Sequence, residues 1–576
     1  MNRRKVRAAV ATAAAGALAT GLLVTGWFTA GPAEAEVSTW YVQAGATTSV
    51  GTASHPFGSL AQVESASRAG DTIVVLPATG VLDGGIQLKP GQTLRGSGPS
   101  VWTAGTTAPR LTNTTTRLSG DAVRVADGTT VTNVRITGAR RGAVHGVDVT
   151  GVRISGNDVS GQNTGCTDGY LIPPFMAPTN LPGVGIPIAN GLQNGWAGIM
   201  IDASVRQDLA VSITGNLVHD ATCGDGIDVR LSGTATGTAT ITDNRIHSLR
   251  QGKDFQSVLA IGLQARDSAR LRGLLHRNTQ ALLGNPDDLN LAVEGADSEG
   301  VFLNAAGPAQ LTATITHNTY TNEHGWGGFS ANGLEAVTMG SGARLDVLVQ
   351  DSSFSGSPGD VIEHGGLGTD AVMTMTLERV TAERSTGIGN TLLLPFNNGD
   401  CVLAGSLGAR NTIRLAVRDS VLRHCANNGL SLGSNVVNGK GPTAEIIATI
   451  DGSTITDNRG ENIGVRNFTA LDRLSVKVQH TDLSRAGGLG SGIADFSAED
   501  LGTTRTHVID IGGGLLGSVG QNCLAGGLLA ADVLRYDVTA RHNWWGRPGG
   551  PGLLRTLAIG GVLDTGSPLS SPPCGD

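Results

Sequence analysis

Ile213-Thr214-Gly215-Asn216 and Ile241-Thr242-Asp243-Asn244 stand on either side of Gly226-Ile227-Asp228-Val229, and both patterns recur along the chain. The first, an alternating strand closed by Asn or a small polar residue, returns at Asn157, Asn318, Ser352, Ser420, Ser453 and Thr481. The second, Gly-apolar-x-apolar, returns at Gly146, Gly198, Gly300 and Gly429. The spacing of about 27 to 40 residues lies in the range of solenoids and propellers. Two short strands and their turns bury no core alone, so neighbouring repeats must stack. Strands that recur in one phase and stack on their equivalents predict an all-β parallel β-helix of about a dozen coils between Asp121 and Trp545. Val, Ile and Leu then face inward, and Gly, Asn, Asp and Ser take the corners. A β-propeller shares the period, but WD-type signatures are absent and coil length varies widely.

Composition agrees with one long solenoid. The 576 residues include 85 Gly but only 10 Phe, 7 Trp and 4 Tyr, with 39% hydrophobic and 15% charged side chains. That is too apolar for a disordered chain and too poor in aromatics for several ordinary cores. No linker interrupts the anchors, so the expected organisation is an N-terminal cap and first coils over 36–120, the β-helix over 121–552, and a tail over 553–576. Ser59-Leu60-Ala61-Gln62 is a capping box, and Leu60, Val63 and Ala66 form one apolar stripe, which predicts a short helix over the open first coil. His542-Asn543-Trp544-Trp545-Gly546 places two indoles at the other end, where they cover strand edges.

Residues 1–35 have the pattern of an export signal. Arg3, Arg4, Lys5 and Arg7 precede an Ala/Leu/Val-rich run that ends in Ala33-Glu34-Ala35, a small-x-small cleavage site. Removing those four basic residues and Glu34 from the 41 basic and 48 acidic side chains moves the net charge from -7 to -10. Such a surface argues against nucleic acid and anionic membranes as partners, and no membrane insertion is expected after cleavage. The six cysteines fit an oxidising compartment, and nearest-neighbour pairing gives Cys166 with Cys223, Cys401 with Cys425, and Cys523 with Cys574.

The anchors, the N-terminal helix with Asp71 to Leu76 and Gln87 to Gln92, and the closing Asn543-Trp544-Trp545-Gly546 together resemble the pectin-lyase-like superfamily of right-handed parallel β-helix proteins. The resemblance spans roughly Trp40 to Gly552. It implies a polysaccharide partner on the outer face of one sheet, beside the long loops. It leaves lyase, hydrolase, epimerase and non-catalytic members open. The one large insertion, at 161–195, is followed by Asp225-Gly226-Ile227-Asp228-Val229-Arg230, which is similar to the calcium-holding segment of family-one pectate lyases. That similarity implies Asp225 and Asp228 as ligands of Ca²⁺. The segment is one residue shorter than the family's, and the family's downstream Arg-x-Pro-x-x-Arg is absent. The Asn-Thr-Asp, Gly-His-Gly and Arg-Ile-Lys motifs of polygalacturonases are absent as well.

Alternation supplies a second route to a site. If Ile227 and Val229 fill the core, Asp228 and Arg230 share the outer face. Asp148, Gln264 and Glu335 are placed in the same outer column, with Glu363 and His364 near it. Carboxylates one coil apart, at about 4.8 Å, approach the roughly 5 Å of retaining glycosidases. Asp228, Arg230, Glu335, Glu363 and His364 are therefore the candidate catalytic residues, with Asp228 ionised beside Arg230 and Glu335 or Glu363 as proton donor. Two functions follow. One is a secreted carbohydrate-active enzyme of polysaccharide lyase or glycoside hydrolase type; the other is a non-catalytic envelope or matrix protein that binds glycans.

Overall fold

The computed structural model describes residues 37–47, 49–98, 100–102, 107–171, 193–250, 252, 257–284, 297–322, 331–387, 399–434, 444–487 and 494–574. The export signal expected over 1–35 and most of the 161–195 insertion lie outside the described residues. Residues Ser38–Asp576 form one compact unit.

The strands stack into three long sheets of 17, 11 and 17 strands. Among the described residues every strand pairing is parallel except that of Asp168–Leu171 with Gln193–Gly195, at the two ends of the insertion. Parallel stacking in constant register is the architecture of a parallel β-helix and excludes the antiparallel blades of a propeller. In the first sheet Ile154, Ile213, Ile241, Leu275 and Ile315 are successive register partners, and all are buried. They belong to one apolar cluster that runs from Val42 to Trp545.

The corner after this sheet explains the Asn anchors. Asn157, Asn216, Asn244, Asn278 and Asn318 are buried one above another. The side-chain oxygens of Asn216, Asn244 and Asn278 each accept both the backbone N–H and the Nδ2 of the Asn one coil before, as Asn244 does from Asn216 at 2.9 and 3.0 Å, and Asn318 accepts the Asn278 N–H at 3.0 Å. Asn278 belongs to the same ladder, with Arg277 at the position where the other anchors carry Gly, Asp or His. Ser352 closes this run by accepting the Asn318 N–H at 3.1 Å, and Ser453 does the same for Ser420 at 3.2 Å. The residue before each anchor sits in the left-handed region, for example Asp243 at φ 58° and Arg277 at φ 52°. That requirement favours Gly, Asp and Asn there.

At the N-terminal end Ser59 and Gln62 make the reciprocal capping box of the helix Leu60–Ala66, whose Leu60 and Val63 enter the main core. At the other end Trp545 is buried in the same core. Strands continue past Gly552: Thr556–Ile559 pairs with Leu529–Leu534, and Leu563–Asp564 pairs with Val538–Ala540. The three disulfides are Cys166–Cys223, Cys401–Cys425 and Cys523–Cys574, closing loops of 57, 24 and 51 residues.

Candidate functional site

The third sheet carries the candidate residues. Its register aligns His145, Met200, Asp228, Gly262, Phe302, Glu335, Glu363, Leu403 and Ser431 in one outward column. Glu335 and Glu363 are direct register partners on adjacent strands, as alternation predicts. Asp228 shares their column but stands three strands away from Glu335, about 14 Å at the usual strand spacing. Between them lies a second apolar cluster on the outer side, with Leu259, Phe302 and Val337. Asp228 and the two glutamates therefore belong to separate groups.

Several sequence placements change. Gln264 is a register partner of Arg230, one column over from Asp228. Asp148 leaves the sheet altogether: it turns left-handed at φ 49° and accepts the backbone N–H groups of Ser204, Val205 and Arg206. His364 follows Glu363 on the same strand, so it points the opposite way, into the core column between Ala336 and Ala404. It is fully buried, and burial holds its pKa down to about 4, so it stays a neutral core side chain.

Around Asp228 the charges pair otherwise than expected. Arg230 donates to Asp202 at 2.8 Å. Asp202 also meets His145 Nε2 at 3.2 Å, while His145 Nδ1 meets Asp121 at 2.8 Å and Arg141 closes on Asp121 at 2.6 Å. Trp196 packs beneath this chain, with the Arg141 guanidinium 4.0 Å from its ring centre and His145 edge-on at 5.1 Å. Burial would raise the Asp121 and Asp202 pKa values, but the hydrogen bonds from Arg141, His145 and Arg230 outweigh it and hold both low. The two carboxylates likewise outweigh burial at His145 and raise its pKa. Asp228 is 0% exposed, and burial outweighs the pull of Arg230 and pushes its pKa up to about 7.

Asp225 has a different task. Its Oδ1 accepts the Leu259 N–H of the next coil at 2.8 Å, and its Oδ2 accepts Asn194 Nδ2. The same corner position, three residues before the outward column, holds Asp360, Asp400 and Asn428. Asp360 Oδ1 accepts the Asp400 N–H at 2.7 Å, Asp400 Oδ1 accepts the Asn428 N–H at 2.8 Å, and Asn428 Oδ1 accepts the Glu461 N–H at 2.8 Å. Asp225 is thus one rung of a corner ladder, with donor hydrogens directed at both of its oxygens. Calcium takes six to eight oxygen ligands. Asp225 and Asp228 do not fit that demand. Among the described residues, ligand atoms of three such groups converge only at Asp482, Cys523 and Cys574, where both sulfurs are in the disulfide.

Asp360 and Asp400 are the site residues that sequence reasoning missed. Their signal was present: Asp360-Val361-Ile362-Glu363 repeats the phase of Asp225-Gly226-Ile227-Asp228. Asp400 and Glu363 both line a pocket of about 180 Å³ on the outer face. Its floor includes Gly365, Gly405 and Gly433, successive register partners without side chains. Leu403, Leu407, Phe468 and Arg466 complete its walls. Asp400 is 0% exposed; its Oδ1 accepts Asn427 Nδ2 at 2.7 Å and the Asn428 N–H at 2.8 Å, and the Ser431 hydroxyl lies against the carboxyl. Burial raises its pKa to about 7. Half-buried Glu363 is also raised by burial, but Asn332 Nδ2 at 3.2 Å favours its ionised form.

These carboxyls set an expected pH dependence of stability. Asp228, Asp400 and Asp495 are raised from 3.8 to about 7, and Asp225 and Asp360 are raised as well. A raised carboxyl is harmless while it is protonated in both states, below about pH 4, and it destabilises the fold as pH rises toward its folded value. Lowered Asp121 and Asp202 act in the opposite sense, stabilising above about pH 4 and losing that contribution as pH falls through their depressed values. Thermal unfolding followed by circular dichroism from pH 3.5 to 9 should give a maximum near pH 4 to 5 and a fall of several degrees by pH 8. A flat or rising profile above pH 5 would contradict the enclosure of these acids.

No family model and no curated protein matches the chain. Among solved structures it is similar to the GH136 lacto-N-biosidase from Eubacterium ramulus, at 12% identity and a TM-score of 0.37 over 66% of this chain and 65% of that one. It is similar to the catalytic domain of a GH87 alpha-1,3-glucanase in complex with nigerose, at 11% identity and 0.36 over 81% and 68%. It is also similar to the periplasmic alginate epimerase AlgG, at 11% identity and 0.30 over 87% and 77%. The chain spans just under two thirds of the first of these. At such scores the likeness carries no argument, and the fold and the reading of the site rest on this chain's own residues.

Proposed function

We propose that the chain is an exported carbohydrate-active protein that hydrolyses a polysaccharide lying along the outer face of the third sheet. The observation that carries this is the pairing of Asp400 and Glu363 in one pocket, where burial raises both carboxyls, Asp400 to about 7, so that a protonated acid stands beside a second carboxyl. Asp400 acts as general acid. Its Oδ1 is held by two N–H donors, so the proton belongs on Oδ2, from which it passes to the glycosidic oxygen as the bond to the leaving sugar breaks. Glu363, favoured as carboxylate by Asn332, faces the anomeric carbon and stabilises its developing positive charge, either by bonding to it or by taking a proton from the attacking water. No step is routed through calcium. Export is supported by three disulfides, which persist in oxidising compartments.

The test is a panel of polysaccharides incubated with the protein lacking residues 1–35, with and without calcium, assayed for new reducing ends and for the absorbance of unsaturated products. New reducing ends without that absorbance are expected, independent of calcium. Unsaturated products would replace hydrolysis by elimination. Binding without any cleavage would leave the non-catalytic glycan-binding reading in its place.

A further inference from the structure

Which polysaccharide the pocket takes is written in its charges. Glu363 and Asp400 line it, and Asp360 lies close enough to be raised by both. Among the described lining residues Arg466 is the single cation, and it is already engaged, at 2.7 Å with Glu461 and 2.9 Å with Glu499. A sugar acid entering here would add a carboxylate beside ionised Glu363 and find no guanidinium open to it. The acidic residues do not stand alone as evidence: they line a defined pocket of about 180 Å³ with a glycine floor.

The remaining surface suits an uncharged ring. Gly365, Gly405 and Gly433 give a trough in which a ring approaches the backbone closely. A side chain at Gly405 would meet the Gly433 carbonyl at 2.8 Å, and one at Gly433 would meet the Arg466 carbonyl at 1.9 Å, so these positions stay flat. Phe468, 45% exposed at the pocket wall, offers an apolar ring face beside Leu403 and Leu407. Apolar walls with a few placed polar groups are the usual make-up of a small-molecule pocket.

We infer that the pocket selects neutral glycans and rejects polyuronates. The inference rests on the proposed polysaccharide-acting site and names its substrate class. It sets the chain apart from the uronate chemistry to which the Asp225-to-Arg230 segment pointed.

The experiment uses matched polymers: alginate and polygalacturonate, the same two after chemical reduction of their carboxyl groups, and a set of neutral glucans and galactans. Binding is measured by affinity electrophoresis and turnover by reducing ends. Neutral polymers should be bound or cleaved at least tenfold better than any polyuronate, and the gap should shrink at high salt, where charge repulsion is screened. The double variant Glu461→Gln/Glu499→Gln frees Arg466 and should gain uronate binding by about tenfold. Should that variant melt early, Glu499→Gln alone, at the more exposed partner, serves the same purpose with a smaller gain. Equal or better handling of native polyuronates by the unaltered protein overturns the inference while leaving the polysaccharide reading intact. Failure to bind or cleave any polymer of either kind overturns the polysaccharide reading, and the inference falls with it.

Discussion

Asp400→Asn should lower kcat on the cleaved polysaccharide by about 10² to 10⁴-fold, the usual contribution of a positioned general acid. The substitution is a clean one because the corner ladder already accepts it. Asn332 and Asn428 occupy the same corner position in other coils, and Asn428 uses its side-chain oxygen as Asp400 does, to accept the next coil's N–H. The variant therefore keeps the Asn428 N–H bonded, and its thermal unfolding at pH 4, where the acid is protonated in both states, should match the unaltered protein. What it loses is the proton on Oδ2. The pH profile provides a second readout: with Asp400 near 7, the rate of the unaltered protein should fall as pH rises through about 7, and that limb should vanish in the variant. Above pH 7 the variant should also gain relative stability, since the ionised acid no longer has to be enclosed. An Asp400→Asn protein with full activity would reduce this residue to a rung of the ladder and remove the acid from the proposed mechanism.

The fold was legible because its signal is repetitive. One Asn anchor means little, but Asn157, Asn216, Asn244 and Asn318 in the same phase impose stacking, and stacking of short strands leaves few architectures. Alternation also placed Glu335 and Glu363 outward correctly. It should have turned His364 inward, since adjacent residues of a strand cannot share a face. The distance between candidates was not legible. Sequence separation does not count coils when coil length varies, so nothing local revealed that Asp228 and Glu335 are three strands apart. Corner acids were the other blind spot. Asp360 and Asp400 read as ordinary turn residues until the register places both of them three residues ahead of the outward column. The charge partner of Arg230 was hidden for the same reason: Asp202, its register neighbour, lies 28 residues earlier, while Asp228 is merely close in sequence.

The Asn ladder should be the costliest polar feature to remove. Asn244 joins three coils: its oxygen accepts the Asn216 N–H and Asn216 Nδ2, and its amide donates to the Ile213 carbonyl at 2.9 Å and to Asn278 at 3.0 Å. All four partners are buried, so no water replaces the lost bonds. Asn244→Ala strands the Asn216 N–H, one Asn216 amide hydrogen and the Ile213 carbonyl, and each buried orphan costs about 1 to 3 kcal/mol. The expected loss of stability is on the order of 4 kcal/mol by urea unfolding, with faster hydrogen exchange in the neighbouring coils, because a solenoid transmits damage to its nearest repeats first. Asn244→Ser separates bonding from size. Ser352 shows what a hydroxyl achieves at this corner, accepting the Asn318 N–H at 3.1 Å and donating to the Gln350 carbonyl at 2.8 Å. The serine variant should therefore keep the Asn216 N–H bonded and lose about half as much as the alanine variant. If alanine and serine cost the same, or if alanine costs under about 1 kcal/mol, the ladder does not hold the coils together and apolar stacking alone does.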